Sequence, residues 1–372
     1  MNKKLVAAAL GMAFAAPVFA DASNVTLYGR VHQVIDHQST ETGNTDRGGN
    51  FVLSDASSRL GVRGVEDLGG GLKAVFAYEF AVDSDNGAGI TGGRHAYLGL
   101  QGSYGTFLIG QQDGGNLSQA PLYNQASLIG SVSNNGGPLT TVSGTTLSGA
   151  QAIARSQRAS NSIGYSNNIG GVQIDVRHAL TGSNDQFNNG AAGTFSVNPT
   201  TGAITQSAAA TKENGTRETE VAATYKMGAL TIGGGFQLFD QQGTDPTTAA
   251  SPERVVQGIA SYNFGSFTLG GLVAQTKLYG TAGNGEDSNT EFALSGTLPL
   301  SSNSGIFGMY ADSERNNIAA PTDINQLQVA YYYDFSKRTR TYVGFNRLNT
   351  EVKATKVETD QDNFTIGLRH NF

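Results

Sequence analysis

The sequence predicts an all-β chain, a 16-stranded antiparallel transmembrane β-barrel. Three observations predict it. Runs with a period of two recur to the last residue, the mark of half-buried strands. The breaks between them alternate between tight turns and long polar loops. One parity of each run is apolar or aromatic, and the other carries small, polar and charged residues.

Composition removes the competing classes. Of 372 residues, 50 are Gly and only 8 are Pro, and Cys is absent. Charged residues make up 15% and hydrophobic residues 38%, and no late stretch approaches the roughly 20 apolar residues of a membrane helix. The 18 Phe and 14 Tyr spread along the chain argue against disorder. Without cysteine there is no disulfide framework, zinc–thiolate cluster or thiol nucleophile.

Lys3 and Lys4 precede an apolar, small-residue run over 5–20 that ends Val18, Phe19, Ala20 before Asp21. This is expected to be a secretory signal peptide, residues 1–20, leaving 21–372 as one barrel domain. Losing the two leader lysines moves the net charge from −6 to −8. A mildly acidic exported chain is not expected to bind nucleic acid.

The strands follow in order. The first, 24–37, opens on VTLYGRVH, and 52–65 is the second. The third, 72–82, follows the triple-glycine turn at 69–71 and reads LKAVFAYEF. Next come 92–101, 105–112, 158–166 and 172–180, the last with the clean alternation VQIDVR. Then come 217–227, 230–240, 254–264, 267–278, 289–299 and 305–315. The final three are 323–335, 339–349 and 362–372. Short turns include 102–104, 167–171, 228–229, 265–266, 301–304 and 336–338, and long polar breaks include 37–49, 113–157, 181–216 and 241–253. Short turns gathered at one end and long loops at the other suit a transmembrane barrel. A rival count of 18 needs two further strands, within 113–157 or 181–216.

The polar parity includes Arg30, Arg59, Arg63, Arg94, Asp175, Arg177, Arg340 and Arg369. So many charges fit inside only a wet interior, and a barrel of this size is too wide for side chains to fill. In the last strand Phe364, Ile366, Leu368, His370 and Phe372 share one parity, and closure requires that strand to pair with the first.

No enzyme is expected. His32, His37, His95, His178 and His370 have no motif partner, and Gly233, Gly234 and Gly235 read as a thin strand rather than a nucleotide loop. No residues are assigned to a metal or a cofactor.

Several segments carry a family resemblance: VTLYG from 25, SRLGVRGVEDLGGGLKA from 58, GRHAYLGL from 93, YGTFLIGQQ from 104, NSIGY from 161, FSKRT from 335 and the terminal GLRHNF. Together they resemble the Gram-negative general porin family of β-proteobacterial and neisserial type, over the whole mature chain. The resemblance implies a homotrimer in the outer membrane, among its lipids and lipopolysaccharide. It also implies a water-filled channel for passive diffusion of small hydrophilic solutes and ions. A substrate-specific channel and a plugged adhesion or scaffold barrel are the alternatives. Val25, Leu27, Ala74, Phe76 and Tyr97 are expected to point outward at the trimer interface.

The resemblance further implies a pore constriction with a basic wall of Arg30, Arg59, Arg63 and Arg94, faced by a third loop, 113–157, folded into the lumen. The alternation around Arg94 is weak, and its inward aim rests on the resemblance alone. Arg155 and Arg158 are candidate loop contributors, and Asp113 is the one acid at the loop's base. Two departures stand out. The family's basic position in the NSIGY segment is Gly164 here, and 114–157 contains no Asp or Glu, so any opposing acid must come from elsewhere, such as Glu79 or Asp36. Anions are therefore the expected preference, because charge rings at the narrowest section outweigh distant loop carboxylates.

Overall fold

A computed structural model describes residues 24–43, 45–56, 58–85, 87, 89–112, 159–180, 194–197, 204–207, 215–242, 252–278, 288–315 and 321–372. The expected signal peptide and the infolded loop lie outside these residues. In chain order the strands are β1 (Asn24–Thr42), β2 (Thr45–Asp55), β3 (Arg59–Gly69), β4 (Leu72–Asp83), β5 (Gly89–Gly102), β6 (Gly105–Gln112) and β7 (Ala159–Ile169). There follow β8 (Val172–Ala179), β9 (Thr194–Val197), β10 (Ile204–Ser207), β11 (Gly215–Met227), β12 (Leu230–Gln242) and β13 (Pro252–Asn263). The last are β14 (Thr268–Leu278), β15 (Ser288–Pro299), β16 (Ser304–Arg315), β17 (Thr322–Asp334), β18 (Thr339–Val352) and β19 (Val357–Asn371).

Sixteen strand positions close into one antiparallel ring. β2 and β3 share a position: β1 pairs with β3 through Asn24–Arg30 and with β2 through Gln33–Thr42. β8 pairs directly with β11, and β19 returns to β1 from Arg30↔Asn371 to Thr42↔Thr359. β9 and β10 form a separate hairpin of 4 residues each. A spanning strand needs about 9–11 residues. The ring therefore stays at sixteen.

The alternation follows the sequence closely. In β17, Gln326, Gln328 and Ala330 are buried on the inner face while Leu327, Val329 and Tyr331 are exposed on the outer one. In β19, Phe364, Ile366 and Leu368 point out, and Thr365, Gly367 and Arg369 point in. Exposed apolar side chains around the whole ring, Ile366 at 60% and Val273 at 62% among them, would be untenable in water and suit a lipid surface. Aromatic groups mark the short-turn end. Phe264 stacks on Phe267 and meets Tyr262 at a tilt, and Tyr333 packs edge-on to Phe335. Such rings sit at membrane–water boundaries.

Two expectations about the second strand change. A single strand over 52–65 is interrupted at Ala56 and Ser58, where the Asp55 carboxylate accepts hydrogen bonds from the Ser58 amide at 2.9 Å and the Ser84 hydroxyl at 2.7 Å. The His32 amide donates to the Ser58 hydroxyl at 2.9 Å, so the break is tied back to β1. Asp55→Ala should lower barrel stability by about 1–2 kcal/mol, since buried partners are left unsatisfied. An unchanged thermal unfolding midpoint in detergent would refute this. The long loop expected over 37–49 is instead mostly strand, because Ser39, Glu41 and Thr42 continue the ladder, past an irregularity at Thr40, to a turn at Gly43. β-propensity carries these polar residues past the bilayer as a paired hairpin.

At the β3–β4 turn Gly69, Gly70 and Gly71 have φ of +86°, +63° and +79°. Three consecutive left-handed residues are accessible at low cost only to glycine. This is the tight reversal that starts the short-turn end.

Candidate functional site: the basic lumen wall

The inner faces of β1, β3 and β5 carry the four predicted wall arginines. Arg30 and Arg59 stand directly opposite each other across β1 and β3. Arg63, four residues further along β3, lies over the Tyr28 ring at 5.0 Å. Tyr28 is positioned by Gly61: a Cβ there would meet the ring at 2.5 Å.

Arg94 reaches the interior by a β-bulge. Glu79 pairs with His95 and Phe80 with Gly93, so Arg94 has no partner in the ladder. A bulge places one extra residue in a strand and re-aims its side chain. Arg94 thereby joins the inner face and forms an ion pair with the buried Glu79 carboxylate. The same bulge corrects the interface expectation. Counting back from an inward Arg94 without a bulge sends Tyr97 outward. With it, Tyr97 lies inside, edge-on to His95 with ring centroids 5.9 Å apart. Leu98 and Leu100 take the outer face, and Val25 and Leu27 are outward as expected.

Glu79 supplies an acid, but on the same wall as the arginines rather than across the lumen, and it also feels Arg59 and His95. Asp36 is inward and accepts hydrogen bonds from Thr365 at 2.5 Å and Ser54 at 3.4 Å. Asp113, Arg155 and Arg158 lie outside the described residues. At Gly164 the wall is closed by the Gln112 side chain, whose amide donates to the Ser162 hydroxyl at 3.1 Å. A Cβ on Gly164 would meet Gln112 Oε1 at 2.2 Å, so this chain fills the family's basic position with a folded-over glutamine.

Parity alone turned Arg177, Arg340 and Arg369 inward without assigning them to the constriction, and the structure shows what each touches. Arg340 of β18 forks onto Asp334 at 2.6 and 2.8 Å and stacks over Tyr332 at 4.0 Å. Arg369 of β19 faces both His32 and Arg340. Arg177 binds Glu218 at 2.5 Å and Glu220 at 2.8 Å, and donates to the Gln112 carbonyl at 3.3 Å. Among the described residues no group of His, Asp and Glu is placed to hold a metal ion.

The model of the family described as Gram-negative porin matches residues 6–353. The outer membrane porin protein 32 of Delftia acidovorans is 26% identical over all of both chains. Among solved structures, an anion-selective porin from Comamonas acidovorans superposes with a TM-score of 0.67 at 24% identity, covering 94% of this chain and 100% of that one. A trimer form of OmpT from Vibrio cholerae gives 0.57 at 15%, covering 95% and 100%.

Proposed function

Because the chain belongs to the Gram-negative porin family, we propose that its water-filled outer-membrane channel for passive diffusion is an anion-preferring one. The observation that carries the reading is the inner-face row of arginines. Arg30 is coupled electrostatically to Arg59, Arg94 and Arg369, whereas the nearest acid, Glu79, is occupied by Arg94. Arginine keeps its charge at every relevant pH. Low-dielectric walls focus the field of such a row into the lumen. Hydrated anions gain from that field along the wall, and cations are repelled from it. Chemistry on the solute has no part in this function, which is passage.

The assembly proposed is a homotrimer seated among outer-membrane lipids and lipopolysaccharide, with the apolar outer face of the first strands, Val25 and Leu27 included, at the interface. The trimeric relative of known structure supports that reading. Reconstitution in a planar bilayer tests the channel: steady ohmic current supports diffusion, and absence of current would favour a plugged barrel. Block by one solute at low concentration would favour a substrate-specific channel.

Glu79→Gln gives a sharper check. Removing the acid that Arg94 neutralises should increase the anion preference, read as a reversal potential displaced further in the anion direction. The variant should also lose stability, because breaking a largely buried pair leaves Arg94 uncompensated. A reversal potential displaced toward cations would contradict the assignment of Glu79.

A further inference from the structure

The arginines of the wall keep one charge at every working pH. An inward side chain beside them does not. His95 follows Arg94 in β5 and is the cross-strand partner of Glu79 on β4. The bulge that re-aims Arg94 leaves His95 on the inner face too, with its side chain 18% exposed. The ring is held in place. It stands edge-on to Tyr97 at 81°, and its Nε2 lies 3.9 Å from the same Glu79 Oε1 that binds Arg94.

The charged and titratable groups around this ring are Glu79 of β4, Arg59 and Arg63 of β3, Tyr28 and Arg30 of β1, and Arg94 and Tyr97 of its own strand. On its other side β6 brings the neutral Gln111, bonded to the Arg94 carbonyl at 2.9 Å, and Gln112, bonded to Ser162. Beyond them Arg177 of β8 is held by Glu218 and Glu220. Next to His95, Arg94 and Glu79 cancel as an ion pair. The proton on His95 therefore decides whether this patch is neutral or carries one positive charge. Imidazole is the side chain that changes charge between about pH 5 and 8, whereas carboxylates do so near about pH 4 and tyrosine near about pH 10. We propose that His95 is a specificity-determining residue of the channel, whose protonation from the lumen water raises the preference for anions as pH falls. The inference rests on the channel reading and extends it: the arginines set the sign of the preference, and His95 makes its size depend on pH. The other histidines are placed differently. His32 is inward but 0% exposed and bonded to Tyr342, and His37, His178 and His370 lie on the outer face.

The test is the reversal potential of the reconstituted wild-type channel in a KCl gradient, taken from about pH 8 down to about pH 5.5, above the carboxylate range. The wild type should move toward anions as pH falls. The chloride-to-potassium permeability ratio should rise about threefold, the order expected for one added charge acting through water on a passing ion. His95→Gln should hold one potential across the range, close to that of the wild type at the alkaline end. His95→Arg should also hold one potential, close to that of the wild type at the acid end. A merely structural histidine would leave the pH profile where it was. The proposal is overturned by a wild-type potential that does not move with pH or moves toward cations as pH falls. It is equally overturned by a His95→Gln channel that moves as far as the wild type. If His95→Gln does not fold, a pH response in His95→Arg equal to that of the wild type overturns it. The readout is a displacement, so it is separate from the sign. A potential of cation-selective sign that still moves toward anions only when His95 is present sinks the anion preference alone. A conducting channel with no pH response sinks the role of His95 alone, and absence of current sinks the channel reading and this proposal with it.

Discussion

Gly367→Val is expected to prevent stable closure of the barrel. A Cβ at Gly367 would lie 2.0 Å from Cζ, 2.2 Å from the hydroxyl oxygen and 2.3 Å from Cε1 of Tyr342, its cross-strand partner on β18. Tyr342 has nowhere to go. It is 2% exposed, hydrogen-bonded to His32, and packed in a cluster with Val34, Ala56, Phe307, Met309 and Ala330. Overpacking a well-filled site costs about 1–3 kcal/mol and sometimes more, and here it falls on the strand that completes the ring. The folded form in detergent should be lost, or should melt well below the wild type. Gly367→Ala combined with Tyr342→Ala should recover part of the loss relative to Gly367→Ala alone, because the ring that collides is gone. A Gly367→Val barrel with wild-type melting would rule the clash out.

That contact also shows where sequence reading stops. A glycine in a strand is visible, but the aromatic lying over it on the next strand depends on register. Tyr28 over Gly61, Phe76 over Gly64 and Tyr332 over Gly305 follow the same pattern. Strand number, closure and facing were legible because period two and turn length are local properties of the chain. The break at Ala56 was not, since it is held by Asp55 and Ser84, which meet only in the folded sheet. Within the site, Arg30, Arg59 and Arg63 were legible by parity. Arg94 was not, because a bulge adds one residue to the count and parity fails across it. The place of Arg369 in the wall needed the register of β1 on β19, which sequence alone leaves free to slide.

Arg59→Ala together with Arg94→Ala is expected to have the largest effect on selectivity. The first removes the charge facing Arg30; the second releases the Glu79 carboxylate from its partner. The pair therefore subtracts two positive charges and uncovers a negative one on the same wall. A unit charge acting over about 4 Å in water is worth about 1 kcal/mol, or roughly a fivefold change in the preference for one ion sign over the other. The double variant should approach neutrality or cross to cations. An unchanged preference would make both arginines bystanders.

The most direct test is the reversal potential of the wild-type channel across a KCl gradient in a planar bilayer. Net charge of the chain favours cations, with 30 Asp and Glu against 24 Lys and Arg. The lumen wall favours anions, and charge at the wall outweighs charge in loops beyond a Debye length of about 8 Å. The expected result is a potential of anion-selective sign that shrinks as salt is raised and the wall is screened. A cation-selective sign in the wild type would contradict the account.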